Sequence, residues 1–161
     1  MNLHNLKLIL KWKIQEILHV PYNIYMIIRF PFLNPRIGYF GQYCWYRSIP
    51  IGWSKAFGIQ LCKEIKQSLK RNGYKQKEYI ISDIKEKFGE LRIYDAGAPK
   101  EVHDIICKYE YISSNTCIEC GRIATRKSQG YILPYCDNCC NKNIMLYDKY
   151  YKDYDFYGYK C

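Results

Sequence analysis

The stretch CIECGRIATRKSQGYILPYCDNC, residues 117–139, decides how the C-terminal part of this chain folds. It contains two C-x2-C pairs, Cys117/Cys120 and Cys136/Cys139, with fifteen residues between them. Two cysteines three positions apart on a tight turn can direct both sulfurs to one ion, and a second pair completes a tetrahedral shell of thiolates, the coordination typical of structural zinc. Four protein ligands leave no open position, so the pattern predicts one structural Zn²⁺ that activates no water.

The residues around these pairs predict a small module. Gly121 permits the sharp turn after the first pair, residues 131–135 resemble a short strand, and residues 140–150 could continue as a helix. A turn, a hairpin and ligands at the start of a helix form a treble-clef-like or zinc-ribbon arrangement. Cys140 could replace Cys139, but the two-residue spacing favours Cys139. Free or disulfide-bonded cysteines, and an iron–sulfur cluster, remain alternatives to zinc.

Upstream of the cysteines, the hydrophobic pattern predicts two helices and a hairpin. Apolar residues repeat every four positions within residues 54–72, which is typical of a helix with one buried face. Residues 78–94 change to alternation and predict a β-hairpin that turns near residues 87–90. Residues 99–112 again have helical spacing, with Pro99 suited to the first turn. The buried stripe of the first helix consists of Phe57, Leu61, Ile65 and Leu69.

The two ends of the chain are less regular. Residues 3–20 have apolar residues at helical spacing and are predicted to form a helix that ends at Pro21, either facing the core or lying on a membrane surface. Residues 21–52 contain four prolines and many aromatic residues, and are predicted to be an irregular segment that covers the core. The tyrosine-rich residues 147–161 are interpreted as a partly ordered tail or as a set of stacking groups.

These observations predict an α+β fold with N-terminal helices packed on a β-hairpin or small antiparallel sheet, followed by a C-terminal treble-clef-like zinc module. We expect four segments: residues 1–51 as an N-terminal helix and aromatic covering segment, 52–115 as a helix–hairpin–helix core, 116–146 as the four-cysteine module, and 147–161 as the tail.

The charge of the chain suggests an anionic partner. Its 161 residues carry a net charge of +10, and the first hundred residues contain 17 basic against 7 acidic side chains. Such an excess is typical of proteins that bind nucleic acid, anionic membranes or acidic proteins, although the preference for Lys, Ile, Asn and Tyr also fits an AT-rich genome. The candidate residues for binding nucleic acid or another partner are Lys63, Lys66, Lys70, Arg71, Lys85, Lys87 and Arg92.

Cysteine usage and hydropathy suggest a cytoplasmic protein. Nine cysteines are an odd number, which is unfavourable for a fully paired disulfide framework, and no cleavable signal is recognisable. The longest strongly apolar stretch, residues 20–28, is too short to cross a bilayer, so no transmembrane segment is expected. Cys62 and Cys107 lie beside apolar helix positions and are predicted to be core thiols.

Several catalytic patterns are missing from the sequence. None of the three histidines lies near the cysteine pairs, no H-x-E motif precedes them, and neither a Walker motif nor G-x-G-x-x-G occurs. The acidic residues of the predicted hairpin are best interpreted as cross-strand partners of its basic residues. The sequence therefore favours a protein that binds over one that catalyses.

One resemblance spans residues 52–140. Five short motifs carry it, and they occur in a fixed order. They are Gly52-Trp53, Leu61-Cys62, the segment 84–94 containing KEKFG and LR, the first cysteine pair followed by Gly121, and the CDxC of the second pair. The pattern resembles that of small phage and prophage proteins for which we can name no activity, although Glu90 stands where that group usually has a second glycine. The resemblance implies a phage-type protein in the host cytoplasm.

A non-catalytic, zinc-stabilised protein with a basic face for nucleic acid is the favoured interpretation. A phage effector that inhibits a host protein or sequesters a nucleotide signal is the alternative.

Overall fold

A computed structural model of the chain describes residues 21–33, 49–128 and 131–141. The predicted helix over residues 3–20 and the tyrosine-rich tail lie outside these ranges. Within them the fold mixes helices with two small antiparallel sheets, so the α+β class is confirmed. No helix in these three ranges has the length and hydropathy needed to cross a membrane.

The segment after Pro21 is more regular than predicted. Residues 21–29 are helical and form α1, and a 3₁₀ turn follows at Pro31–Leu33. Tyr22, Met26 and Phe30 repeat every four residues and face the core, which gives α1 a buried stripe. The prediction of an irregular segment over residues 21–52 was therefore wrong for residues 21–29, because the sequence interpretation gave more weight to the prolines than to this spacing.

The predicted long helix is confirmed and begins three residues earlier than expected. It consists of Ile51–Trp53, a π-helical turn at Ser54–Gly58 and a regular segment at Ile59–Arg71, which together are called α2. The four residues of its predicted stripe are all buried. All four belong to the main hydrophobic core, so the helix packs against it along its length.

The hairpin is also confirmed. Strands β1, Ile80–Lys87, and β2, Glu90–Ala96, pair antiparallel, with an irregularity between Ile81 and Asp83. Phe88 and Gly89 connect the strands and both have positive φ, 55° and 79°. Two successive residues with positive φ are the signature of a type I′ turn, whose twist matches that of the flanking strands.

Helix α3, Lys100–Ser114, packs against both α2 and β2 and joins them into one core. Pro99 precedes its first residue in an extended conformation. Ser113 accepts the Leu91 N–H on its Oγ at 2.7 Å, and the Glu64 carboxylate of α2 accepts hydrogen bonds from Lys108 and Tyr109. The helix is thus tied by polar contacts to both of its neighbours.

The two predicted core thiols differ in their environment. Cys62 is fully buried in the core, as predicted, whereas Cys107 is exposed. Val102, Ile106 and Tyr109 define the buried side of α3, and Cys107 follows Ile106 by one position, about 100° around the helix. The prediction for Cys107 was wrong because adjacency in sequence was taken as a shared helix face.

The C-terminal segment adds a second, smaller sheet. Strand β3, Arg126–Lys127, pairs antiparallel with β4, Pro134–Tyr135, and residues 137–141 are helical. β4 lies within the predicted short strand at residues 131–135. The helix predicted for residues 140–150 is described only up to residue 141.

Backbone contacts attach this segment to the start of α2. The Gly52 N–H donates to the Ile118 carbonyl at 2.9 Å, and a Cβ atom added to Gly52 would lie 2.2 Å from the Cys117 carbonyl oxygen. The Trp53 indole N–H donates to the Thr116 carbonyl at 2.8 Å inside the protein. Only a residue without a side chain allows this approach of the two backbones.

We expect Gly52→Ala to destabilise the protein by about 3 kcal/mol, because the added methyl group would meet backbone atoms that have little freedom to move. Denaturant or thermal unfolding measures the effect. Lys55→Ala, at an exposed position one turn further along, is the control and should change stability by less than about 0.5 kcal/mol. Equal stabilities of the two variants would contradict the close approach.

Candidate metal centre

The four cysteines of the two C-x2-C pairs converge on one point. The sulfur atoms of Cys117, Cys120, Cys136 and Cys139 all lie within 4.8 Å of one another, and those of Cys120 and Cys136 are 3.5 Å apart. All four are free thiols, and three of them are buried. The predicted ligand set is therefore confirmed as a cluster that could hold a metal ion.

Each pair sits on a short structure that directs its sulfurs inward. The Gly121 N–H donates to the Cys117 carbonyl at 3.0 Å, and the Cys117 N–H donates to the Arg122 carbonyl at 2.7 Å. Gly121 has a φ of 81°, as the predicted sharp turn requires. At the second pair the Cys139 N–H donates to the Cys136 carbonyl at 3.1 Å. Both pairs thus lie on tight turns with satisfied backbone groups.

The small sheet brings the two turns together. The Ile118 N–H donates to the Pro134 carbonyl at 2.9 Å, and the Thr125 N–H donates to the Tyr135 carbonyl at 2.9 Å. Strand β4 therefore runs beside the first cysteine pair immediately before it delivers the second. Fifteen intervening residues are enough to leave the first turn, form the β3–β4 hairpin and return.

Electrostatics favour a cation at the centre of the cluster. Burial raises the pKa of Cys139, and the neighbouring thiols raise it further. At Cys120 burial acts in the same direction, but hydrogen bonds from Arg122 and from neighbouring cysteines outweigh it and lower the pKa to about 6. Neighbouring thiolates repel one another, so the four groups cannot all ionise without a compensating charge. A divalent cation supplies that charge and suits this donor set.

Near the cluster, Arg122 adds to the predicted set and Cys140 is excluded from it. Arg122 lies next to the partly exposed Cys120 and stabilises its thiolate form. The sequence interpretation did not single it out, although a basic residue directly after a cysteine turn is a usable signal. Cys140 is disulfide-bonded and fully buried, so Cys139 is the available fourth ligand, in agreement with the spacing argument.

The predicted basic residues of α2 have different environments. Lys63 and Lys70 are exposed and form no ion pair with a residue of the described ranges. Lys66 donates to the Arg29 carbonyl at 3.2 Å and lies over the Phe30 ring. Arg71 instead forms an ion pair with Glu101 of α3. Lys63, Lys66 and Lys70 thus remain together on one side of α2, next to the end of α1.

The predicted basic residues of the hairpin are largely compensated. Lys85 pairs with Asp83, and Arg92 pairs with Glu90 and with Glu110 of α3. The hairpin acids thus pair with its bases, but the predicted cross-strand arrangement was wrong: Asp83 and Glu90 pair with the base two positions along the same strand, because side chains two residues apart share one face. Glu86 instead accepts hydrogen bonds from Gly89 and Tyr131. Lys87 lies over the Phe88 ring, with its Nζ 5.7 Å from the ring centroid. The seven predicted residues therefore lie on two separate elements.

Comparison with known proteins yields no relative. No protein family, no curated protein and no solved structure matches this chain. The functional argument therefore rests on the geometry of the chain itself.

We expect the purified protein to contain one transition-metal ion per chain, and Cys136→Ser to lose it, because the variant replaces one of four converging thiolates by a weaker hydroxyl ligand. Elemental analysis and thermal unfolding measure metal content and stability. Cys107→Ser also removes one thiol, but an exposed one outside the cluster, and should retain both. The site would be contradicted if the purified wild-type protein contained no metal and were no more stable than Cys136→Ser.

Proposed function

We propose that this chain is a small, phage-type, non-catalytic binding protein, in which one structural zinc ion stabilises a treble-clef-like module and a lysine-rich face of α2 binds nucleic acid. The observation that carries the binding proposal is the group of uncompensated cations along α2 and the end of α1. The phage-type origin is supported by the sequence resemblance alone.

The dimensions of the cysteine cluster support zinc as the ion. Tetrahedral zinc with Zn–S distances of about 2.3 Å requires sulfurs about 3.8 Å apart. The observed separations, with 3.5 Å between Cys120 and Cys136 and a maximum of 4.8 Å, are compatible with this spacing. The cysteine turn, the β3–β4 hairpin and the second pair at the start of a helical segment support the treble-clef-like arrangement.

The donor set also supports a structural role. Four thiolates complete the tetrahedral shell, so a substrate or water finds no open position on the ion. When bound, the ion would supply binding free energy that holds the two turns together. Because the first turn is hydrogen-bonded to Gly52 and Trp53, that free energy would also stabilise the core that carries the basic face.

The cations on α2 form a stripe suited to phosphates. Lys63, Lys66 and Lys70 follow one another at spacings of three and four residues, which places them on one side of the helix. Arg29 adds a fourth cation, because its guanidinium and the Lys66 ammonium both lie over the Phe30 ring. Among the described residues no carboxylate pairs with any of the four. On the side of α2 that faces α3, by contrast, Arg71 pairs with Glu101 and Glu64 pairs with Lys108 of α3.

We expect the double variant Lys63→Ala/Lys70→Ala to weaken nucleic-acid binding at low salt and to decrease the slope of log K against log salt concentration by about two, because each phosphate contact contributes nearly one unit. Fluorescence anisotropy with a labelled 20-base-pair DNA duplex and a labelled single strand of twenty thymidines, at several salt concentrations, measures both quantities.

The matched control is Lys75→Ala/Lys108→Ala. It removes the same two charges, but from lysines that pair with Glu78 and Glu64. A smaller change of the salt slope in the control supports the stripe as the phosphate-binding face. If the two double variants have identical effects, binding depends on net charge alone and not on the stripe. If the wild type binds neither probe at low salt, the nucleic-acid function is refuted.

A further inference from the structure

The residue at the tip of the β1–β2 hairpin is unusual for its position. Phe88 has a φ of 55°, and 65% of its surface is exposed. A bulky side chain with positive φ is disfavoured by contact of its Cβ with the backbone. Type I′ turns therefore prefer Asn or Gly at this position.

The fold gains little from the phenylalanine ring. Lys87 is the cation that lies over it, and the ring contributes nothing to the buried core. Exposing a large apolar ring on a strained backbone is unfavourable for stability. Among the described residues, no contact of the ring accounts for a phenylalanine at this position, which points to a role in binding.

The tip is held in place by the cysteine module. The Gly89 N–H donates to the Glu86 carboxylate at 2.7 Å, and the Tyr131 hydroxyl donates to the same carboxylate. Gly89 also lies against residue Ile132, so that an added Cβ would be 2.8 Å from its carbonyl oxygen. Phe88 is thus presented on a rigid support, which lowers the entropic cost of binding a ligand.

The surroundings of the ring are aromatic and basic. Tyr131 and Ile132 are both nearly half exposed. Lys87 lies over the ring. Lys127 of β3 lies opposite Pro134 of β4, and the side chain of Pro134 approaches Gly89. Neither lysine forms an ion pair with a carboxylate in the ranges that the structure covers. The two carboxylates beside the turn are both engaged elsewhere: Glu86 is hydrogen-bonded to Gly89 and Tyr131, and Glu90, opposite Lys87, pairs with Arg92.

We infer that the hairpin tip, formed by Phe88 with Tyr131 and Lys87, is a stacking site for single-stranded nucleic acid. A flat exposed ring beside the Lys87 ammonium matches an unpaired base with its phosphate, and every base has a face that can stack. Bases inside a duplex offer no such face to a protruding ring. The inference deepens the proposed function and rests on it, but it concerns a different surface from the α2 stripe.

Substitutions at residue 88 separate stacking from folding. Phe88→Asn suits the positive φ, so we expect equal or higher thermal stability. We also expect a loss of affinity for the single strand of twenty thymidines of about fivefold or more, the factor that one stacked base contributes. Phe88→Leu keeps the strain and the apolar character without the ring, and should lose a similar factor. Phe88→Trp should retain the affinity.

The control is Tyr111→Ala on α3, which removes an aromatic ring from a residue that is 75% exposed. It should leave the affinity for both probes unchanged. The α2 stripe should continue to bind the 20-base-pair duplex in all residue-88 variants.

If the single-strand affinity is unchanged in Phe88→Asn while the α2 double variant binds both probes more weakly, the proposed function stands and the stacking site is refuted. If Phe88→Leu binds the single strand as well as the wild type does, the tip requires an apolar side chain and not a flat ring, and the stacking inference is also refuted. If the wild type binds neither probe, both proposals fail together.

Discussion

The attachment of the first cysteine turn to the start of α2 is the constraint on which the arrangement of this protein depends. Gly52 brings two backbones within hydrogen-bonding distance, and the Trp53 indole reaches the Thr116 carbonyl from inside the core. The cysteine module has a small buried cluster of its own, and these hydrogen bonds attach it directly to the helix that lines the main core. A metal ion held by the four sulfurs would act on the same unit, because its ligands flank the residues that make these contacts.

Much of the fold was predictable because its signals are local. The stripe of α2 repeats every four residues, the hairpin turns at Phe88-Gly89, and α3 follows Pro99. The cysteine cluster was predictable for a similar reason, since two pairs at ligand spacing bring four sulfurs together over a short loop. In each case a single pattern determines the structure without information about distant residues.

The remaining features depend on contacts between segments, which spacing alone does not contain. The helix at residues 21–29 forms because Met26 and Phe30 find a core to pack against, and this outweighs the surrounding prolines. The compensation of Arg71 by Glu101 joins residues thirty positions apart. The approach of Gly52 to Cys117 joins residues even further apart. Each of these pairings requires the tertiary fold to be known first.

The π-helical turn at Ser54–Gly58 has a consequence for how the two parts of the molecule are aligned. Such a turn accommodates one more residue than a regular helical turn. Residues before it are therefore rotated by about 100° relative to an uninterrupted α-helix. Gly52 and Trp53 lie before this turn and contact the cysteine module, and Trp53 also belongs to the core that Phe57 and Leu61 line after it. The extra residue in this turn therefore sets the rotation of Gly52 and Trp53 relative to the buried stripe that follows, and loss of a single residue there would misalign contacts whose own sequences are intact.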